Sequence, residues 1–481
     1  MSKRLLVIMV SLVLLATGGL AFAGGQKEGS SGAATQSTAT STPTTSNSQA
    51  ARPVSFEFWE TDTQTDRVST YQLLISTFEA EHPNVTVKIV PIEENDVPTQ
   101  IQAASAAGTL PALLYGPAED AVTFGSRGLT DNAAATKVIN DIGMSNFYPG
   151  TLAVNQSAQS GSYYALPFTG WIEGIWYRTD WFQKAGLNPP KTWEDMLKAS
   201  QTFYKPDQNQ YGILVGTKPE VYTEQCFTPI AASNGAGLFA NDGSLNFNTP
   251  AMKQAIEFYA QLAKYNPPGP QNWRARDYYL QGKMAGFFYS TFIMDDLAIQ
   301  KVAQGSLTGD NFANLKGSQF DPQLVEHTGF VPIITHKQDA GYGVIVDMMM
   351  FKQKDPAVTQ AAGDLVKYLF TPHAYITWLH VAPGGNNPVI HGIADNSEFL
   401  NDPEGVFQHY GKDKMDTIIS GMNSITDFSI VGGKVVPAGA AIYSKAIIPQ
   451  MIYKITQESM PVDQAMTWAE GQMKDVMSQM K

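Results

Sequence analysis

The sequence predicts an α/β fold in which at least part of the sheet is parallel. Residues 53–59 alternate large apolar and polar side chains, which is the two-residue period of a half-buried strand. Apolar side chains recur at helical spacing between residues 68 and 78, and residues 85–89 alternate again. A strand, a helix and a strand within about 40 residues form a βαβ unit, whose strands run parallel.

Two polar loops follow strands of this predicted sheet. A helix over residues 97–107 and a short apolar strand over residues 110–115 come after the first unit. Ligands of parallel sheets bind beyond the carboxyl ends of the strands, so the residues that follow each strand are candidate site residues. At these two strand ends lie Trp59, Glu60, Asp62, Gly116 and Glu119.

The segment 163–200 contains half of the eight tryptophans of the chain, within a span interrupted by glycines. It predicts a strand over residues 172–177, a helical turn over residues 179–184 ended by Gly186, and a helix capped by Thr192. We interpret this segment as the place where the chain enters a second lobe and lines a cleft.

The rest of the chain alternates buried strands and capped helices. Residues 284–292 and 344–351 have the composition of buried strands, and Pro250 and Pro356 open helices after good capping residues. The final helix, from Pro461, has methionines along one face, a pattern typical of a helix packed in a core.

Length, charge and cysteine content limit the function classes. A chain of 481 residues allows two or three domains, and a net charge of −12 argues against nucleic acid or an anionic membrane as partner. The single cysteine, Cys226, excludes a disulfide within the chain. Nucleophile-elbow, zinc-protease and phosphate-loop motifs are missing, so we expect no enzyme activity, no cofactor and no metal.

The N-terminal residues predict export. Residues 1–23 show a basic start, an apolar run and a small-residue cleavage site, in the order of a secretory signal peptide; an uncleaved anchor is the alternative. Residues 24–52 are rich in Ser, Thr, Ala and Gly and predict a disordered leader. No cysteine follows the apolar run, so we expect no lipid at a cysteine and a location in the periplasm or at the extracellular face.

Aromatic residues beside polar ones recur at predicted strand ends. Sugars offer apolar C–H faces to aromatic rings and hydroxyls to carboxylates and amides, so this pattern favours a carbohydrate cleft. Core packing is the alternative for each residue taken alone. The aromatic residues of this pattern include Trp59, Trp171, Trp273, Phe292, Tyr342 and Tyr443.

Residues 163–200 resemble the extracellular solute-binding proteins of bacterial ABC importers, most of all the carbohydrate-binding family that includes maltose-binding protein. Four motifs carry the resemblance: residues 164–167 (YALP), 176–182 (WYRTDWF), 184–187 (KAGL) and 190–194 (PKTWE). Weaker agreement extends over nearly all of residues 53–481.

The resemblance implies an α/β protein with two discontinuous lobes and a ligand cleft at the hinge between them. The N-terminal lobe would comprise residues 53–167 and 332–372, and the C-terminal lobe residues 168–331 and 373–481. Trp171, just past the first crossing, would lie in the cleft, whereas the other three tryptophans of the segment would pack in the core. Further ligand contacts implied by the resemblance or by the aromatic pattern are Trp59, Glu60, Asp62, Gly116, Glu119, Tyr222, Gln225, Trp273, Ser290, Phe292, Tyr342 and Tyr443.

These observations predict a monomeric protein that captures a sugar or oligosaccharide and delivers it to a membrane permease. The family often has a tryptophan where this chain has Phe292, so the identity of the sugar does not follow from the resemblance. A phosphorylated or other non-sugar solute is one alternative, with Arg274 and Arg276 as its candidate basic cluster. A secreted glycosidase and an adhesive surface protein are the alternatives from other classes.

Overall fold

The computed structural model describes residues 52–157, 160–299, 302 and 323–480. The predicted signal peptide, residues 1–23, lies outside the described residues, and so does the predicted leader except for its last residue. Among the described residues, no helix combines the length and the apolar character that crossing a membrane requires.

Helices and strands alternate along the described chain. The strands are β1 Val54–Glu60, β2 Val85–Pro91, β3 Leu113–Pro117, β4 Leu166–Arg178, β5 Tyr211–Leu214, β6 Met284–Ser290, β7 Thr328–Val331, β8 Ile334–Thr335, β9 Asp339–Ala340, β10 Tyr342–Met350, β11 Asn387–Pro388, β12 Ile430–Val431 and β13 Lys434–Val435. The helices of the first half are α1 Thr65–Glu81, α2 Val97–Ala107, α3 Ala118–Ser126, α4 Asn132–Ile142, α5 Pro149–Ala153, α6 Thr179–Ala185, α7 Trp193–Phe203 and α8 Val221–Ser233. The later helices are α9 Pro250–Ala263, α10 Arg276–Leu280, α11 Met294–Ala298, α12 Pro356–Leu369, α13 Pro372–Leu379, α14 Ser397–Leu400, α15 Val406–Ser420, α16 Ala438–Tyr443, α17 Ile447–Thr456 and α18 Val462–Gln479.

The main sheet is mixed, as the βαβ pattern predicted. Its strands follow the order β2-β1-β3-β10-β4-β6-β5, with β7 and β11 also paired to β4. The pairs β1–β2, β1–β3 and β5–β6 are parallel, whereas β10 and β4 run antiparallel to their neighbours. The parallel pairs therefore lie at the two ends of the sheet, and the antiparallel strands β10 and β4 join them. The prediction of an α/β fold is confirmed.

Strand β4 changes partners along its 13 residues. Its first part, from Leu166 to Glu173, pairs with β10, and its second part, from Glu173 to Tyr177, pairs with β6. Glu173 stands opposite both Tyr342 of β10 and Ser290 of β6. The junction of the two halves of the sheet therefore falls at Glu173, two residues beyond Trp171.

Aromatic side chains hold α13 against the first half of the sheet. Trp378 is fully buried, and its ring stacks on Tyr71 of α1 with a centroid distance of 4.0 Å. The same indole meets Tyr115 of β3 and Phe168 of β4 edge to face, at 5.2 and 5.1 Å. Such ring pairs add about 0.5–1.5 kcal/mol each beyond their buried area. Residues 372–379 thus pack with the elements of the N-terminal part of the chain.

The tryptophans expected in the core are buried or partly buried there. Trp176 is 1% exposed and donates from its indole nitrogen to the carbonyl of Tyr289, at 3.1 Å. Trp193 stacks between Phe258 and His336, and Trp181 packs on Phe203.

The sequence predicted the helix caps correctly, but it placed some strand ends and helix starts incorrectly. Thr192 accepts from the backbone of Asp195, and Gly186 ends α6 in the left-handed conformation. Residues 118–120, expected in a loop, instead form the first turn of α3, because Pro117 is already extended and Glu119 and Asp120 favour the positive end of a helix. The last helix buries Met466 and Met473, as the methionine pattern predicted.

Candidate ligand-binding site

A cleft of about 870 Å³ runs along the junction of the two halves of the sheet. Its floor is formed by Trp171 of β4 and by Val344 and Val346 of β10. One wall consists of the segments that follow β1, β2 and β3, where a parallel sheet is expected to bind ligands. This wall comprises Thr61, Asp62, Arg67, Glu94, Asn95, Pro98, Tyr115, Pro117, Glu119, Asp120, Thr123, Ser126 and Arg127.

The opposite wall comes from later parts of the chain. It includes the N-terminal turn of α8, the turn after β6, the segment before β11, and α16 with its flanking residues. The side chains and backbone that line it belong to Val221, Gln225, Phe292, Ala382, Gly385, Asn386, Pro437, Ala440, Ala441, Tyr443, Ser444 and Met480.

A second, smaller pocket of about 150 Å³ opens beside the cleft. Trp171, Gln225 and Phe292 line both spaces, so the two are neighbours. The remaining residues of this pocket are Glu173, Tyr222, Trp273, Tyr289 and Ser290. We call it the aromatic pocket, because five of its eight residues carry aromatic rings.

Exposed apolar side chains concentrate at these two spaces. Among the described residues, six large hydrophobic side chains are exposed. Four of them, Val221, Trp273, Phe292 and Met480, line the cleft or the aromatic pocket. Phe292 and Trp273 are each 41% exposed. Single exposed apolar residues scattered over a protein surface are normal. A group of them in one concave site instead marks a candidate binding surface.

The sheet fixes the position of Trp171. Side chains alternate along β4, so Trp171 and Glu173 point to the same side of the sheet. Its ring lies 6.2 Å from that of Tyr342 and 6.4 Å from that of Phe292, between centroids. On the facing strand, a Cβ at Gly343 would come within 2.4 Å of the carbonyl oxygen of Trp171. The glycine therefore permits the close approach of β10 to β4 at this residue.

Trp273 is held over the aromatic pocket by a capped turn. The side chain of Asn272 accepts from the backbone of Arg274, and the Trp273 backbone donates to Glu220 at 3.3 Å. The guanidinium of Arg274 lies 4.6 Å from the centre of the indole ring. These contacts fix a ring that would otherwise be free to move on the surface.

Asp62 is fixed by its neighbours in the first wall. It accepts from Arg67 at 2.8 Å and from the hydroxyl of Tyr71 at 3.3 Å. Its backbone nitrogen donates to Glu60, at 2.8 Å. Through this hydrogen bond, Glu60 supports the loop from behind. Burial raises the pKa of Glu60 well above its ordinary value.

Carboxyl groups with raised pKa values line the first wall. Burial raises the pKa of Glu119 to about 7, and nearby acids add to the effect. Burial and the charge of Glu94 raise the pKa of Asp120 to about 6. Burial also raises the pKa of Glu94. Glu119 and Asp120 therefore titrate near neutral pH, and a carboxyl group can accept a hydrogen bond when ionised and donate one when protonated.

A small cavity of about 30 Å³ is lined in part by Glu119. Glu224, Asp427, Tyr342 and Tyr443 also line it, and the volume suffices for a water molecule. Burial, followed by the charges of Asp427 and Glu119, raises the pKa of Glu224 to about 8. Tyr342 thus faces this cavity, whereas Tyr443 lines both it and the cleft.

The structure brings most of the predicted site residues together. Those that line the cleft or the aromatic pocket are Asp62, Glu119, Trp171, Tyr222, Gln225, Trp273, Ser290, Phe292 and Tyr443. Four others do not line either space, and one of them, Tyr342, lines only the cavity of about 30 Å³. Trp59 packs in a hydrophobic cluster and donates to Glu57, Glu60 is fully buried, and Gly116 lies within β3.

Sequence reasoning missed several lining residues. Arg67 and Asn386 stand on a helix and a loop that carry no motif, and Glu94 and Asp120 each follow another acidic residue, a pattern that is common in solvated loops and helix caps. Glu173 could have been found, because the two-residue period of a strand places it on the same side as Trp171.

Of the two candidate basic residues, Arg274 lies over the ring of Trp273 and Arg276 is paired with an acid. Arg276 forms an ion pair with Asp296 at 2.8 Å and lies 3.7 Å from Asp277. Arg178 binds Asp180 with two hydrogen bonds, which makes it a structural residue. Within the described part of the chain, no three His, Cys, Asp or Glu side chains are arranged to hold a metal ion.

A two-walled cleft at the junction of two half-sheets defines the class of two-lobed binding proteins. Residues 61–376 match the family described as "Bacterial extracellular solute-binding protein". The chain therefore belongs to this family, which confirms the prediction drawn from residues 163–200.

Individual relatives agree with this assignment. The chain is 28% identical over 404 residues to "Putative ABC transporter periplasmic-binding protein YcjN" of Escherichia coli K12, covering 84% of this chain and 88% of that protein. It is 29% identical over 204 residues to a mannitol-binding protein of Pseudomonas aeruginosa, covering 41% and 46%. The cyclic α-maltosyl-1,6-maltose binding protein of Arthrobacter globiformis shares the fold, with a TM-score of 0.66 at 18% identity, over 88% and 99% of the two chains.

Proposed function

We propose that this protein is the solute-binding component of an ABC importer, that it captures a sugar or polyol in the cleft, and that it delivers the ligand to a membrane permease. The observation that carries the ligand class is the gathering of exposed aromatic and apolar side chains beside carboxyl and amide groups in one cleft. Relatives named for binding mannitol and a cyclic maltose derivative support a carbohydrate-like ligand. The protein would act outside the cytoplasmic membrane as a monomer.

Capture would couple to closure of the cleft. The N-terminal lobe would comprise residues 53–167 and 332–372, extended by helix α13, Pro372–Leu379, because Trp378 of this helix packs on Tyr71 and Tyr115. Residues 168–331 and 380–481 would form the C-terminal lobe. Strands β4 and β10 link the two walls and would act as the hinge. A ligand that contacts both walls stabilises the closed state by its differential affinity, and the permease would recognise that state.

A thermal-shift panel of mono- and oligosaccharides and polyols tests this function. A ligand at 100 times its dissociation constant adds about 2.7 kcal/mol to the free energy of unfolding, so a true ligand raises the melting temperature by several degrees. A panel without any stabiliser would refute the proposal and favour a non-sugar solute.

We further propose that the protein performs no chemistry on its ligand. A glycosidase requires two carboxyl groups on either side of the scissile bond, about 5–9 Å apart. The four carboxyl groups that line the cleft instead all belong to the first wall: Asp62, Glu94, Glu119 and Asp120. Incubation with chromogenic glycosides of several linkages should release no chromophore, and measurable turnover would restore the glycosidase alternative.

A further inference from the structure

Glu173 is a buried carboxyl group whose position in the aromatic pocket calls for a ligand. It is 1% exposed, its Oε1 atom has no hydrogen-bond partner, and it lines the pocket beside Trp171 and Ser290. A buried polar atom without a partner costs about 1–3 kcal/mol, and more when the group is charged. Glu173 stands at the junction of β4, β6 and β10. A hydrophobic side chain at this position would pack without the free-energy cost of an unpaired polar atom.

The surroundings of Glu173 indicate what its partner would be. No Lys, Arg or His is among the eight residues that line the aromatic pocket. The other polar groups of the pocket are the hydroxyl of Ser290, the amide of Gln225 and the hydroxyl of Tyr222, which donates to the carbonyl of Phe288. Hydrogen-bond acceptors and aromatic rings around one carboxylate suit a positively charged ligand group.

The charges of the main cleft favour a cation as well. The main cleft carries Asp62 paired with Arg67, and beyond that pair it has three acids, Glu94, Glu119 and Asp120. Its remaining basic residue among the described ones is Arg127, at the rim. Two arginines flank the aromatic pocket at Trp273: Arg274 lies 4.6 Å and Arg276 lies 5.4 Å from the centre of its ring, and Asp296 neutralises Arg276.

We propose that the ligand carries an amino group, as in an amino sugar or amino polyol, and that Glu173 binds this group in the aromatic pocket. The inference rests on the proposed capture of a carbohydrate and narrows its ligand class. The ammonium would donate to Glu173 and to the oxygens of Gln225 and Ser290, with the faces of Trp171 and Trp273 beside it. A phosphorylated solute would find no Lys, Arg or His among the residues that line this pocket.

Binding would move one proton. Burial raises the pKa of Glu173 well above its ordinary value, which favours the protonated form in the empty pocket. The titratable groups that face it are Tyr222 and Cys226 of α8, Tyr259 of α9, Tyr289 of β6 and Tyr342 of β10, all neutral at pH 7. An incoming ammonium stabilises the carboxylate, so the acid releases its proton to solvent and the charged pair forms.

Matched ligand pairs test the proposal by calorimetry on the full-length mature protein. We would use glucosamine, galactosamine, mannosamine and β-1,4-linked glucosamine oligomers, each against its hydroxyl and N-acetyl counterparts. The expected result is at least tenfold tighter binding of an amine in one pair, with about one proton released per ligand in buffers of different ionisation enthalpy. Equal binding of the hydroxyl member without proton release would overturn the amine proposal and leave carbohydrate capture intact. No binding by any member would count against carbohydrate capture itself.

Two variants separate recognition from folding. Glu173→Gln keeps the shape and removes the charge, so it should lose at least tenfold in amine affinity and abolish the proton release. Asp347→Asn is the matched control, because Asp347 is also fully buried with an unpartnered oxygen but lines neither the cleft nor the aromatic pocket. The Asp347→Asn variant should change neither the amine affinity nor the proton release. Unchanged amine affinity in Glu173→Gln would refute the role of Glu173. If this variant does not fold, proton release in the unaltered protein still tests the proposal.

Discussion

The rings of Trp171 and Phe292 meet edge to face, with centroids 6.4 Å apart and planes at 63°. Trp171 belongs to β4, whereas Phe292 lies in the turn that follows β6. Both residues line the cleft and the aromatic pocket. The pair therefore marks the boundary between the two spaces, and a ligand that occupies both would contact both rings.

Replacing Trp171 with Ala should weaken ligand binding strongly. The indole is the largest side chain shared by the cleft and the aromatic pocket. Truncating such a central aromatic residue costs about 2 kcal/mol or more, which corresponds to about thirtyfold in affinity. Calorimetry with the stabilising ligand from the thermal-shift panel measures this loss.

Trp181→Ala is the control for that measurement. Trp181 packs on Phe203 and lies under the guanidinium of Arg178, at 5.1 Å, and it lines neither the cleft nor the aromatic pocket. This variant should lose some stability and keep its affinity. Equal affinities of the two variants would show that Trp171 does not contact the ligand.

Gly343→Ala should damage the site through the backbone. An added Cβ would lie 2.4 Å from the carbonyl oxygen of Trp171, so β4 and β10 must separate at the floor of the cleft. We expect a lower melting temperature together with weaker binding. Gly237→Ala is the matched control, because its Cβ would meet no atom within 4 Å. If Gly343→Ala behaved like this control, the close approach of the two strands would not matter for the site.

Local signals along the chain predicted the fold class well. The alternation at residues 53–59 and the caps at Thr192 and Gly186 depend on neighbours within a few residues, so one sequence suffices to detect them. The family followed from the spaced motifs of residues 163–200, which the match over residues 61–376 confirms.

The site was predictable only in part, because its two walls come from distant segments. Trp171 stood out by composition and by its place on a strand, whereas Asn386 joins the cleft only because its segment lies next to β4. Trp59 shows the opposite failure. It follows the pattern of an aromatic residue at a strand end, but its side chain packs in a cluster with Ile101 and Met349. The direction of a side chain at a strand end depends on packing that the pattern does not contain.

Trp193 should matter for stability alone. Its ring is 8% exposed and stacks between Phe258 and His336, and its indole nitrogen donates to Ser233 at 3.0 Å. Replacing it with Ala should lower the free energy of unfolding by about 3–5 kcal/mol. Trp193→Phe keeps the stacking and loses the hydrogen bond, so it should cost about 1–3 kcal/mol. Denaturant titration measures both values, and a loss of ligand affinity in the folded Trp193→Phe variant would contradict a purely structural role.

The buried carboxyl of Glu224 should make the protein less stable as the pH rises. Its pKa lies near 8 in the folded protein, against an ordinary value of 4.5, mainly because of burial. Below pH 4.5 both the folded and the unfolded chain hold the proton. Between pH 4.5 and 8 the unfolded chain ionises while the folded one does not, so the free energy of unfolding falls with rising pH. Glu224→Gln removes this contribution and should be more stable than the parent protein at pH 8, while the two converge at pH 4. Melting temperatures across this range measure the difference, and parallel pH profiles for the two proteins would show that Glu224 does not titrate in this window.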